Sequence, residues 1–327
     1  MFFTNAGFVF VCTFAAMTAT PDKKIVSLLA ATTEIVCALG LEHNLVGISH
    51  ECDYPESVKS LPRCSDVRFI PGMSSAEIDR KVKEILTDAL SVYTVNKDTI
   101  KALDPDIVLT QTQCEVCAVS LKDVEVALDE LLDKHAQIIS VEPNTLSDIF
   151  NDITLIAEKL DAVDAGKRLM ESLEERVDII RHKLKFIADK PTVACIEWMD
   201  PLMVAGNWVP EMVEIAGGRS VLAVNGKHSP FISWETLQAE NPDVIIITPC
   251  GFDIERTLKE IDVMLTLPGF SEMKAVKSNR LYIADGNQYF NRSGPRIVDS
   301  IEILAEIIYP KQFIFGYEGK GWMKLEM

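Results

Sequence analysis

The side chains best equipped for chemistry in this 327-residue chain gather in a few loops, each at the end of an apolar run. His50-Glu51-Cys52-Asp53-Tyr54-Pro55 sets an imidazole, a thiol and an aromatic ring within five positions. Packing alone seldom asks for that mixture. Gln111-Thr112-Gln113-Cys114-Glu115-Val116-Cys117 places a CxxC pair where a helix is expected to open, and a helix N-terminus stabilises thiolate. Cys114 and Cys117 read as a redox dithiol, as half of a metal site, or as a structural or ligand-facing pair, and no second CxxC follows. In the second half, Glu197-Trp198, Trp208, Phe252 and Tyr289-Phe290 occupy similar loops. One Trp or Phe is ordinary core. Several together on strand-end loops suggest a broad apolar and aromatic pocket with polar groups at intervals, suited to a large, flat, partly hydrophobic ligand.

No GxGxxG follows a strand, and GxxxxGK[ST], HExxH and GxSxG are all missing. Dinucleotide, nucleotide, zincin and hydrolase chemistry therefore lack their usual sequence support, and the reading is of a binding protein, not an enzyme.

The elements that must position these loops alternate. Strands are predicted over 24–29, 45–49, 107–110 and 138–141, most followed by a helical pattern, which builds a parallel sheet. Thr32-Thr33-Glu34 is expected to open the first helix, the threonines as caps and Glu34 at the positive helix end. Helices are predicted over 146–160 and 164–188, the second with Leu169, Leu173, Val177, Ile180, Leu184 and Ile187 on one face and Pro191 at its exit. Such a helix is roughly 35 Å long, enough to run beside two lobes. Alternation then resumes with strands near 192–197, 244–248 and 280–284, without apparent sequence identity between the halves. The expected fold is α/β: two Rossmann-like lobes with parallel sheets joined by one long linker helix, their strand-end loops around a shared cleft. The expected divisions are a signal segment over 1–22, a first lobe over 23–145, a helical region over 146–190, a second lobe over 191–310 and a tail over 311–327.

Composition narrows the partners. With 48% hydrophobic residues the chain can bury a sizeable core, and a formal charge of -17 disfavours nucleic acid and anionic lipid. Eight cysteines in a chain of this size do not form a disulfide scaffold. Residues 2–19 are apolar with small residues at the end, like the core of a secretory signal, although no Lys or Arg precedes them. Export to an extracytoplasmic setting is the expectation, and a cytoplasmic one is the alternative.

The segments KIVSLLAATTEIVCALGLEHNLVGISHECDYP, ALDPDIVLTQTQCEVCAVS, EWMDPLMVAGNWVPEMVEIAGG, NPDVIIITPCGFD and DGNQYFNRSGPRIVDSIEILA together resemble the vitamin B12 and iron-chelate binding proteins of ABC importers. The likeness to the cobalamin-binding group spans roughly residues 23–310. It implies a corrinoid held between the lobes with no required cofactor, comparatively small closure, a monomer, and delivery to an ABC permease. By alignment Tyr54 falls where a ring lies beside the corrinoid, and Tyr289-Phe290 on a further aromatic pair. Family members dock through one acidic residue on each lobe, which places Asp98 and Glu235 opposite permease arginines. Two departures stand out: Ala30 replaces a common Pro, and residues 72–95 lengthen the first lobe.

Within that reading His50, or a thiol of Cys52, Cys114 or Cys117, is a candidate for direct approach to cobalt. Two competing functions make different demands. A thiol-dependent enzyme would use the CxxC pair, or His50, Glu51 and Cys52 on a bound metal complex. A siderophore binder would want a basic cleft, and the candidate loops are poor in Arg and Lys apart from Arg292 and Arg296, which favours a neutral ligand.

Overall fold

The computed structural model describes residues 23–67, 72–87, 93–112 and 136–326. The apolar stretch over 2–19 and the candidates Gln113, Cys114 and Cys117 lie outside them. In the first lobe β1 (Ile25–Ser27), α1 (Ala30–Ala38), β2 (Leu45–Ile48), β3 (Ser65–Val67), α2 (Ser75–Thr87), β4 (Tyr93–Val95), α3 (Lys97–Leu103), β5 (Ile107–Gln111) and β6 (Gln137–Val141) follow in order. A four-stranded parallel sheet runs β2-β1-β5-β6, while β3 and β4 form a separate antiparallel pair that carries α2 between them. Strands β1 and β5 are buried throughout, which is why they read as unbroken apolar runs.

Helix α1 differs from its sequence reading. It starts at Ala30, ahead of the threonines, and its N-cap position Leu29 has no side-chain cap. Thr32 and Thr33 lie inside the helix and are fully buried, so their hydroxyls cannot reach the free amides of the first turn. The Thr32 hydroxyl donates instead to the Leu29 carbonyl at 3.0 Å.

Helices α4 (Leu146–Lys159) and α5 (Val163–Leu184) connect the lobes. Thr145 and Asp148 form a reciprocal capping box at the start of α4, which fixes where the chain leaves the first lobe. Helix α5 has 22 residues and is therefore roughly 33 Å long. It buries Leu173, Val177, Ile180 and Leu184 and ends four residues before the expected position, after a last turn carrying Arg181, His182 and Lys183, which suit the negative helix end.

The second lobe contains β7 (Thr192–Trp198), β8 (Met203–Val204), α6 (Val209–Ile215), β9 (Arg219–Ser220), α7 (Trp234–Glu240), β10 (Val244–Ile247), α8 (Ile254–Glu260), α9 (Asp262–Leu265), α10 (Lys274–Lys277), β11 (Leu281–Ala284), α11 (Ile297–Ile308) and β12 (Trp322–Lys324). Its sheet runs β12-β11-β10-β7-β8, with β9 beside β7. The central pairs are parallel, but β8 and β12 are antiparallel edges, so this sheet is mixed where a parallel one was expected. Residues 311–326 are correspondingly part of the lobe and not a tail. Glu306 of α11 holds them: its carboxylate accepts the backbone N–H groups of Phe315, of Gly316 at 2.6 Å and of Tyr317 at 3.3 Å, and the Trp322 indole N–H at 2.8 Å.

One apolar core passes through both lobes. It joins Ile25 and Ile35 to Ile149 and Ile153 of α4, Leu173 and Val177 of α5, and Val193, Met212 and Ile301 of the second lobe. Smaller clusters lie behind each sheet, around Val26 and Val108 in one lobe and Ile245 and Phe270 in the other. Wide opening of the lobes would expose part of the shared core to water, at about 25 cal/mol for each Å² of apolar surface. Small closure motions suit this architecture.

Candidate functional site

The loops after β2 and β11, from opposite lobes, meet at the C-terminal ends of their parallel strands. Tyr54 is 45% exposed, and its ring lies 3.8 Å from the Arg296 guanidinium, which is also 5.5 Å from the Tyr289 ring. Arg296 donates twice to Glu34, at 2.9 Å from Nε and 2.6 Å from Nη2, and once to Gln288 Oε1 at 2.8 Å. Arg292 donates to Glu34 at 3.0 Å, to Asp53 at 2.6 Å and to Asn287 Oδ1 at 3.1 Å. The Asn287 and Gln288 side-chain amides donate to Asp53 as well, each at 2.9 Å. First-lobe acceptors thus meet second-lobe donors, and the two arginines are balanced by two carboxylates. Burial pushes the Asp53 carboxyl up, but the hydrogen bond and charge of Arg292, with help from Asn287 and Arg296, hold it below its ordinary value. Burial works against both guanidinium charges too, and Asp53 and Glu34 more than offset it.

Other loop residues turn inward. Cys52 is 1% exposed, within 3.0 Å of the Thr33 hydroxyl and 3.2 Å of the Ser49 hydroxyl, and burial raises its thiol pKa. It belongs to the core and not to a ligand surface. His50 is partly buried, with Nδ1 3.0 Å from the Ser65 hydroxyl and its ring 5.1 Å from that of Tyr93. Burial lowers its pKa to about 4, so the imidazole is neutral at physiological pH. In the second lobe Phe290 is 1% exposed with φ of 56°. Its carbonyl accepts the Trp208 indole N–H at 2.7 Å and its amide donates to Ser300 at 2.9 Å. Trp208 and Phe290 are therefore anchors beneath the loop, correcting their expected place against a ligand.

Glu197 and Trp198 end β7, where the Ser229 hydroxyl donates to Glu197 at 2.5 Å. The Trp198 ring lies 5.3 Å from Phe252, itself under the Arg256 guanidinium at 4.7 Å. The Trp198 indole N–H is buried without a hydrogen-bond partner, an unmet donor beside the aromatic loops. Arg256 also begins a second contact between lobes, donating to the Met73 carbonyl, while the Ser75 amide donates to Glu260 of α8 at 2.8 Å. Met73 and Ser75 thereby bring the start of α2 against the second lobe.

Asp98 and Glu235 are both exposed and both lie in the first turn of a helix, α3 and α7. The surroundings repeat between lobes. Asn96 and Ser233 cap the two helices, and Asp104 and Asn241 end them in left-handed conformation at φ 49° and 47°. A Pro-Asp pair follows in each, with Asp106 accepting from the Lys24 amide and Asp243 from the Thr192 amide, both at 2.8 Å. This local likeness, KDTIKALDPD against WETLQAENPD, escaped the reading of the halves as unlike.

Among the described residues no cluster of three or more His, Cys, Asp or Glu side chains is placed to hold a metal, and no helix is long and apolar enough to cross a membrane. The sequence model of the periplasmic binding proteins matches residues 25–287, most of the chain and both lobes. The chain belongs to the periplasmic binding protein family. As a periplasmic binding protein it is a solute-binding component of an ABC importer, and the family serves extracytoplasmic transport, not catalysis. Similar periplasmic binding proteins include an uncharacterized ABC transporter substrate-binding lipoprotein, YvrC, of Bacillus subtilis, 28% identical with 89% of this chain and 81% of that protein covered. The vitamin B12-binding protein of Yersinia pseudotuberculosis is 22% identical, with 92% of each covered. Among solved structures, the periplasmic vitamin B12 binding protein BtuF of Vibrio cholerae superposes with a TM-score of 0.61 at 20% identity, covering 88% of this chain and 96% of that one. IsdE of S. aureus complexed with heme superposes with 0.67 at 19% identity, covering 88% and 99%. These superpositions establish the two-lobed fold.

The residues that sequence reading left out of the site are Glu34, Asp53, Asn287 and Gln288, with Arg292 and Arg296 noted only as exceptions. A signal was present: Glu34 is the sole acid in the apolar run ATTEIVCALG, and Arg292 and Arg296 stand one helical turn apart before α11.

Proposed function

We propose that this periplasmic binding protein captures a corrinoid of the cobalamin type between its lobes and delivers it to an ABC permease. The observation that carries the reading is the neutralised cleft: both arginines are held by Glu34 and Asp53, leaving the Tyr54 ring and the side-chain amides of Asn287 and Gln288 around them. Aromatic faces suit the macrocycle, and amides suit the amide groups on its rim. Tyr54 and Tyr289 offer the rings, both within reach of the Arg296 guanidinium that marks the meeting of the lobes. The likeness to vitamin B12-binding proteins supports the same choice. Heme and iron chelates are the alternative ligands, in keeping with structural neighbours such as IsdE complexed with heme. His50 packs inward against Ser65 and Tyr93, so the visible spectrum of bound hydroxocobalamin is expected to be unchanged in His50→Ala, and a shifted spectrum would return the imidazole to the cobalt.

The deciding experiment titrates the full chain with cyanocobalamin, cobinamide, hemin and a ferric siderophore, followed by calorimetry and Trp fluorescence. Saturable one-to-one binding of the corrinoids alone is expected. Binding of hemin or the siderophore in their place would overturn the corrinoid reading. Asp98 and Glu235 are proposed to meet permease arginines, one from each lobe, with the protein docking as a monomer. In Asp98→Arg and Glu235→Arg, ligand affinity should stay within about twofold while uptake in a reconstituted transport assay falls at least tenfold, since reversed charges at an interface weaken docking steeply.

A further inference from the structure

The cleft holds two arginines that an anionic ligand would ordinarily seek, and both are already engaged. Arg296 places Nε and Nη2 on the two oxygens of Glu34, the paired geometry with which a guanidinium takes a ligand carboxylate. Arg292 divides its Nη1 between Glu34 and Asp53. The side chains of Arg292, Arg296 and Glu34 are 8%, 11% and 2% exposed, whereas that of Asp53, next in sequence to Tyr54, is 26% exposed. The outer layer of the network is therefore a carboxylate, an aromatic ring and amides, with the positive charge behind them.

We infer that Glu34 and Asp53 are charge-selectivity residues, internal counter-anions that hold Arg292 and Arg296 away from the ligand so that the cleft accepts an uncharged rim and rejects an anionic one. The reading rests on the corrinoid assignment for the ligand's identity, while the charge preference can be measured apart from it. An anion could reach the guanidinium groups only by displacing Glu34 or Asp53, and an unpaired carboxylate as buried as Glu34 is strongly unfavourable. An anion that leaves the network intact meets Asp53 as its nearest charge and is repelled. Both routes disfavour the anion, by roughly a hundredfold where displacement is required.

The test compares ligands of one shape and different charge. The full chain, Asp53→Asn and Glu34→Gln are titrated with cyanocobalamin and with its monocarboxylic acid, in which one rim amide has become a carboxylate. Wild type should favour the amide by tenfold or more, and each variant should shift that ratio toward the acid by about tenfold. Equal binding of both ligands by wild type, or an unchanged ratio in Asp53→Asn, would overturn the inference. Circular dichroism melting establishes that each variant is folded; should Glu34→Gln fail to fold, the partly exposed Asp53→Asn decides alone. A neutral ferric trihydroxamate and an anionic ferric tricatecholate are titrated in parallel. A chain that ignores corrinoids but prefers the trihydroxamate, and loses that preference in Asp53→Asn, would sink the corrinoid assignment and sustain the charge selection.

Discussion

The loops after β2 and after β11 come from different places in their sheets, β2 at the edge beside β1 and β11 between β10 and β12, and they divide their residues in the same way, yet they supply opposite chemistry to the cleft. Each sends part of its sequence inward as an anchor: His50 and Cys52 in the first, Phe290 in the second, with Trp208 beneath it. Each sends the remainder across the cleft. What crosses from the first lobe accepts, Asp53 together with Glu34 of α1, and what crosses from the second donates, Asn287, Gln288, Arg292 and Arg296. Residue type did not decide between the two fates. A thiol and an imidazole became packing, and an acid inside an apolar helix became the centre of the interface.

The comparison breaks most severely at Glu34. Glu34→Ala leaves two buried guanidinium groups short of a partner and should destabilise the protein by about 3–5 kcal/mol, measured by urea denaturation. A loss below about 1 kcal/mol would mean that the cross-cleft network contributes little to holding the lobes. His50 probes the inward group of the first loop through pH. Its folded pKa is about 4, below the ordinary value near 6.5, so the unfolded chain takes up the proton first as pH falls. The stability contributed by neutral His50 is complete above pH ~6.5 and is lost as pH falls from there to ~4, by about 3 kcal/mol in all. His50→Gln should flatten this slope in thermal melts between those limits, and a slope equal to wild type would show that His50 is not held neutral by burial. Asp53 behaves differently, because its pKa is depressed from an ordinary value of ~3.9. Its contribution persists through the histidine window and is lost only below the usual aspartate range. The smallest effect is expected at the inward anchor of the second loop. Trp208→Phe keeps most of the ring but orphans the Phe290 carbonyl, costing about 1–2 kcal/mol. Ligand affinity should change little, and an affinity loss beyond tenfold with unchanged melting would return Trp208 to the ligand surface.

Much of the architecture was legible because it rests on local patterns. Buried parallel strands such as β5 and β10 read as apolar runs, and the amphipathic stripe of α5 appears at spacings of three and four. The antiparallel edges were not legible. Strands β8 and β12 are two and three residues long, too short for alternation to register, and their pairing depends on partners that other parts of the chain supply. The same limit governed the site. Aromatic loops were found by composition, but composition cannot say whether a ring faces the cleft or the core, and Phe290 and Cys52 face the core. Glu34 was read as favouring a helix end, a local effect, whereas its partner Arg292 stands 258 residues away. Interactions across that span leave only an oddity in sequence, here an acid where the helix should be apolar.

The Glu306 carboxylate carries a consequence for the protein's birth at the ribosome. Helix α11 emerges before the backbone amides of residues 315–317 and the Trp322 indole that satisfy it, and β11 emerges about forty residues ahead of the β12 strand that covers its edge. During that interval the nascent second lobe has an open strand edge and a carboxylate without its four donors, while the first lobe has already been translated in full. Translation order therefore makes the first lobe the early template and the second the late arrival, and the network between them can form only after the growing chain has released Arg292 and Arg296, just ahead of α11, to a waiting Glu34.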